Sequence, residues 1–225
     1  EHVHVQPAPA WRLSGRLEAL GFGHYRELAN EPGAYLAGRS ASKDRDNDIA
    51  SQFFAKALQE DNGNPVLIDR VFALKLSEGD IAGAESYAAE VLKFNSQHRM
   101  AHIVLGLKDL QESHFEAARK HFEASAYTPI GELTASLLSA WSWAAQKELN
   151  PALKALDKLS ANDSFSNFRE LHAALIADFL GNGIRAEAAF KQALAGAPDS
   201  LRIVQSYGNF LERQGRAAEA RKLYE

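Results

Sequence analysis

Between Gly181 and Pro198 the sequence reads G-N-G-I-R-A-E-A-A-F-K-Q-A-L-A-G-A-P. Ala186, Phe190 and Ala193 fall on one helical face, small, bulky and small in turn, and the run closes on Pro198, a helix breaker. Steps of 34 residues from Ala186 meet Ala152, Ala118, Ala84 and Ala50 in one direction and Ala220 in the other. A fixed period of that length, with two helical blocks in each, predicts an array of helix pairs. The units run 31–64, 65–98, 99–132, 133–166, 167–200 and a truncated 201–225. Turns inside the units are predicted at D-R-D-N (44–47), S-E-G-D (77–80), E-S-H (112–114), K-E-L-N (147–150), G-N-G (181–183) and R-Q-G (213–215). Asn150 before Pro151 predicts a helix start in the fourth unit, since the amide side chain can accept from orphan N–H groups and proline loses nothing there. The sixth unit stops within its second helix, so the chain is expected to continue beyond Glu225.

The alanine series has a counterpart. Helices that cross closely need small residues at the approach and bulky ones beside it. Twelve residues before each alanine stand Gly38, Phe72, Gly106, Ala140, Ala174 and Gly208; four residues after each stand Phe54, Ala88, Phe122, Leu156, Phe190 and Tyr224. The second unit is the exception in both rows. Phe72 replaces a small residue and Ala88 a bulky one, a transfer of volume that packing tolerates when the total is kept.

Residues 1–30 stand outside the period. The first ten read as an extended arm with two prolines. Leu13, Leu17 and Leu20 then form an apolar helical stripe that Trp11, Phe22 and Tyr25 extend and that Gly21 and Gly23 break. Residues 11–29 are therefore an amphipathic segment suited to docking on the chain's own array, capping it, or recruiting another chain.

Composition narrows the function. The 225 residues carry a net charge of -4 with a pI of about 6.1, so no basic field exists for nucleic acid or acidic membrane surfaces. Cysteine is absent, which removes disulfides, thiolate chemistry and cysteine-ligated zinc. No apolar run approaches the ~18 residues of a membrane span. His98 and His102 have the spacing of a ligand pair, with His114, His121 and His172 as further candidates, but zinc wants three or four converging ligands. His2 and His4 lie in the tail, and Asp44, Asp46 and Asp48 lack the glycine and terminal glutamate of a calcium loop. No nucleophile elbow, phosphate-binding loop or zinc-protease motif occurs. The expectation is a chain that is not an enzyme, with no catalytic residues, no metal and no cofactor.

A small residue at position 8, glycine near 15, alanine at 20 and 27, an aromatic at 24 and proline at 32 resemble the tetratricopeptide repeat pattern over residues 31–225. The best matches are Y-G-N-F-L-E-R-Q-G-R-A-A-E-A-R-K-L-Y in the last unit and G-N-G…A-x3-F-x2-A…P in the fifth. That resemblance implies an all-α, right-handed α-solenoid of antiparallel helix pairs, about six repeats, whose first helices line a concave face that binds extended or helical peptides. Transferred to this sequence, the face takes Met100, Ile103, Leu107 and Leu110 from the third unit, Leu137 and Trp141 from the fourth, and Phe168, Leu171, Leu175 and Phe179 from the fifth. The alternative is that neighbouring first helices bury these residues against one another. The carboxylate-clamp positions of the family hold Tyr35 and Arg39, Arg70, then Met100 and Val104; two arginines alone do not build that clamp, but Arg39 and Arg70 can meet an acidic ligand. Y-L-A-G-R at 35–39 and L-L-S-A-W at 137–141 are also similar to bacterial repeat proteins made with an export signal, implying periplasm or cell envelope, with cytoplasm as the alternative. The reading that results is a protein-binding adaptor with a groove for a helical or hydrophobic peptide. Its alternative is a self-associating scaffold whose groove is filled by residues 11–29.

Overall fold

The computed structural model describes residues 31–161 and 163–225, and the arm and amphipathic segment expected at 1–30 lie outside them. Twelve α-helices and two short 3-10 segments account for the described residues, with no strand among them. The helices are α1 (Glu31–Lys43), α2 (Asn47–Glu60), α3 (Pro65–Ser77), α4 (Ile81–Phe94), α5 (Arg99–Gln111), α6 (Phe115–Ala124), α7 (Pro129–Ala145), α8 (Leu149–Asp157), α9 (Ser166–Phe179), α10 (Gly183–Gly196), α11 (Leu201–Arg213) and α12 (Ala217–Tyr224). The chain forms two compact units, one ending at Phe94 and the other starting at Asn95. In the first, α1 packs on α2, α2 on α3 and α3 on α4; in the second, the succession from α5 to α12 is likewise paired, and α7 also touches α9.

Helix starts are capped by the residue types that suit them. Asn64 accepts from the N–H groups of Val66 and Leu67 at 3.0 and 3.3 Å ahead of Pro65, and Thr128 accepts from Gly131 at 3.0 Å ahead of Pro129. That Thr-Pro start opens α7 a turn before residue 133. The expected cap at Asn150 is corrected: α8 opens at Leu149 after Glu148, and Asn150 instead accepts from the Arg185 guanidinium at 3.2 Å. Proline tolerates any place in a first turn, whose N–H groups have no intrahelical partner, so Pro151 did not fix the boundary.

A second 34-residue series appears in the backbone. Arg45, Gly79, Ser113, Lys147, Gly181 and Gly215 all have positive φ, between 61 and 76°, and each sits in the turn inside a helix pair. Three are glycine; at the other three the turn is kept although the glycine is not.

The packing follows the alanine series. Ala50, Ala84, Ala118, Ala152, Ala186 and Ala220 are all fully buried. Phe54, Phe122 and Phe190 are fully buried too, Leu156 nearly so, while Tyr224 in the last pair is 47% exposed. Rings lie directly over the small partners: a Cβ on Gly38 would stand 3.1 Å from the Phe54 ring, and one on Gly106 only 2.5 Å from Cε1 of Phe122. Phe72 and Ala88, the exchanged pair, are both buried.

Candidate peptide-binding surface

Within the second unit, α5, α7 and α9 are the first helices of their pairs, and each carries a helical stripe of apolar side chains. Of the residues expected there, Met100, Phe168 and Phe179 are exposed at 38, 49 and 64%. Ile103, Leu107, Leu110, Leu137, Trp141 and Leu175 are half-buried. Leu107 and Leu110 lean on the core around Ala118 and Phe122, and Leu137 and Trp141 on the core around Ala140 and Leu156. Leu171 differs from the rest: at 8% exposure it belongs to the core with Ala174 and Phe190 and offers little to a partner. Half-buried stripes with exposed tips are surfaces whose side chains are held by their inner halves.

Trp141 is the best anchored of these residues. Its indole N–H donates to Nδ1 of His172 on α9 at 2.9 Å, and its ring lies 6.1 Å from that of Phe179. An indole only donates, so Nδ1 of His172 carries no proton in this arrangement. Burial, with a smaller contribution from the Arg202 charge, holds the His172 pKa below its ordinary value. Trp143, two residues on, does different work. The Arg119 guanidinium stacks 3.6 Å over its ring and donates to Ser142 at 3.0 Å and Gln146 at 2.7 Å, fastening α6 to α7.

Two features escaped the sequence reading. Ile130, 55% exposed, shares a stripe with Leu137 and Trp141 because α7 starts early; the Thr-Pro dipeptide at 128–129 was the signal. His172 became a partner of Trp141 only through packing, across 31 residues.

Beside Phe179, a cleft of about 950 Å³ opens among the turns before α8 and α10 and the end of α11, lined by Leu149, Phe179, Leu180, Ile184 and Phe210. Its rim holds the Glu187–Arg216 pair at 2.8 Å. Hydrogen bonds from Arg216 and then Lys191 lower the Glu187 pKa to about 2. Arg213 and Asp178 form a further ion pair between α11 and α9.

Arg39 and Arg70 lie in the first unit. Arg39 is exposed, 6.0 Å over the Tyr35 ring; Arg70 is half-buried, 5.4 Å over Phe54, with a buried Nε that has no hydrogen-bond partner. The histidines separate into distinct roles. His98 accepts from the Ala101 N–H at 3.2 Å at the start of α5, whereas His102 and His121 meet through their Nδ1 atoms at 2.9 Å. Of the acidic turn, Asp46 caps α2 by accepting from Ile49 at 3.2 Å. No described helix is long and apolar enough to cross a membrane.

These helix pairs, their small-residue contacts and their left-handed turns define the tetratricopeptide repeat fold. Comparison with solved structures agrees. The chain is similar to a tetratricopeptide repeat protein from Parabacteroides merdae (TM-score 0.67, 14% identity, 88% of this chain and 77% of that one). It is also similar to MamA (TM-score 0.62, 16% identity, 76% and 94%). A third likeness is to YrrB, described as a TPR protein with an unusual peptide-binding site (TM-score 0.61, 13% identity, 84% and 96%). No family model matches the sequence, and a search among curated proteins finds no relative.

Proposed function

We propose that this protein is a non-catalytic interaction scaffold that holds an amphipathic helix or hydrophobic peptide against α5, α7 and α9. The observation that carries the proposal is the set of apolar stripes on these three helices, with Met100, Ile130, Phe168 and Phe179 exposed and Trp141 fixed by His172 and Phe179 beside them. A contiguous apolar surface on a folded domain usually marks an interaction site, and an amphipathic helix is read there by residues at i, i+3 or i+4 and i+7. The likeness to YrrB, a peptide-binding protein of the same fold, supports the reading. Arg39 and Arg70 suit an acidic ligand in the first unit.

The test is selection of helical peptides on the full chain, followed by binding to variants. Phe179→Asp and Met100→Glu change exposed residues and leave the fold intact; Trp141→Asp and Leu175→Asp cut deeper. Capture lost in all four, with helicity kept in the first two, supports the proposal. Capture unchanged by Phe179→Asp and Met100→Glu rejects it. Deleting residues 1–30 addresses self-docking: tighter peptide binding supports occupation by residues 11–29 of the same chain, and loss of an oligomer supports the self-associating scaffold.

A further inference from the structure

Asparagine is followed by glycine at two places in the chain, Asn62-Gly63 and Asn182-Gly183. In such a step the side-chain amide carbon of asparagine can close a five-membered ring onto the next backbone nitrogen, and glycine puts no Cβ in the way. The fold holds the two steps in opposite states. Asn62 and Gly63 are the exposed middle of the turn joining α2 to α3, which is closed by the Asn64 N–H donating to the Asp61 carbonyl at 3.1 Å. The residues flanking them are engaged: Asn64 caps α3, and its amide nitrogen donates to the Asp61 carboxylate at 2.8 Å. Asn62 takes no part in that network. Among the described residues, neither its side chain nor the Gly63 N–H makes a hydrogen bond.

Asn182 is the contrast. Its side-chain oxygen accepts from the Arg185 N–H at 3.1 Å, its own carbonyl accepts from Ala186 at 3.0 Å, and Gly183 is the first residue of α10. Asn182 and Gly183 are also half-buried. Swinging the Asn182 amide carbon onto the Gly183 nitrogen would break the cap and distort the first turn of the helix. Nothing comparable restrains Asn62.

We propose that Asn62 is a site of spontaneous deamidation and that Asn182 is protected by its place at the start of α10. Water is the sole co-reactant. Hydroxide takes the Gly63 amide proton, and that nitrogen attacks Cγ of Asn62. The N–Cγ bond forms, the Cγ–Nδ2 bond breaks, and ammonia leaves with a proton from water. The cyclic imide then adds water. Opening of the N–Cγ bond gives aspartate, whereas opening of the bond between the Asn62 backbone carbonyl and the Gly63 nitrogen gives isoaspartate, whose main chain is longer by one methylene. Either product puts a new negative charge beside Glu60 and Asp61, and isoaspartate also lengthens the turn that positions Asn64 to cap α3. The site is independent of the peptide surface, so either can fail without the other.

The experiment is incubation of the full chain in water enriched in heavy oxygen, at mildly acidic and mildly alkaline pH, followed by digestion and mass spectrometry of the peptides holding residues 62 and 182. Labelled aspartate and isoaspartate should accumulate at residue 62, faster at the alkaline pH, and at least about tenfold faster than at residue 182. In the urea-unfolded chain that difference should close. Gly63 is not left-handed and a Cβ there meets nothing within 4 Å, so Gly63→Ala should fold as the parent does, which circular dichroism checks. Conversion at residue 62 should fall about tenfold or more in that variant. No labelled product at residue 62, equal conversion at 62 and 182 in the folded chain, a difference that persists in urea, or conversion undiminished in Gly63→Ala would each overturn the proposal.

Discussion

Gly106→Ala isolates the contact on which the helix pairing depends. The added Cβ would stand 2.5 Å from Cε1 and 2.8 Å from Cδ1 of Phe122, against an optimal carbon–carbon separation of about 3.5–4.0 Å. Phe122 is fully buried and so is Ala118 beside it, so the ring has nowhere to go and α5 must move away from α6. Overpacking of this kind costs about 1–3 kcal/mol. Alanine in a helix interior recovers about 0.8–1.0 kcal/mol relative to glycine, leaving a net destabilisation of about 1 kcal/mol. Gly208→Ala at the same repeat position should do the reverse. There the added Cβ meets the ring of Tyr224, which is 47% exposed in the last helix and can swing aside, so the propensity gain dominates at about 0.5–1 kcal/mol. Because repeat arrays need not unfold in one step, the readout is native-state hydrogen exchange of α5 and α6 amides alongside urea unfolding. Adding Phe122→Leu should remove most of the Gly106→Ala penalty, a coupling of about 1 kcal/mol. If Gly106→Ala stabilises as much as Gly208→Ala, or shows no coupling to residue 122, the ring-over-glycine account is refuted.

Three further outcomes are expected. Gly181→Ala should cost about 1–2 kcal/mol by forcing a Cβ into the left-handed region, whereas Lys147→Gly at the equivalent turn should gain up to about 1 kcal/mol; equal effects in urea melts would contradict the shared turn. Ala186→Leu should cost about 1–3 kcal/mol at a fully buried site, while Gln192→Leu on the exposed face should stay within about 0.5 kcal/mol, and similar thermal shifts would mean the faces are misassigned. The Trp141–His172 bond needs His172 neutral at Nδ1. With the folded pKa held below the ordinary 6.5, its contribution is present above that value and is lost as pH falls through the lower folded pKa. The indole N–H resonance of Trp141 should therefore shift with a midpoint below 6.5; a midpoint at or above it would contradict the burial argument.

Much of the fold was legible because close helix contacts demand volume at fixed places. Ala186 and Phe190 announced a packing position that recurs every 34 residues, and even the exchange of Phe72 with Ala88 kept the sum. All six turns were legible, but their left-handed backbone was announced only where glycine stands, at Gly79, Gly181 and Gly215, and not at Arg45, Ser113 and Lys147. Helix starts were harder to read: proline fits several places in a first turn, so Pro151 pointed to the wrong cap, and the early start at Pro129 that exposes Ile130 was missed. The candidate surface was readable as stripes but not as depths. Leu171 and Leu175 look alike in sequence, and only the packing of the core around Phe190 separates a buried leucine from a half-exposed one. Pairings across repeats, such as Trp141 with His172, depend on three-dimensional juxtaposition that periodicity does not encode.

The most direct test of the account is hydrogen–deuterium exchange on the full chain with and without a selected amphipathic peptide. The account predicts added protection concentrated in α5, α7 and α9, at the segments carrying Met100, Trp141 and Phe179. Protection confined to α6, α8 and α10, or no change on any helix, would contradict it.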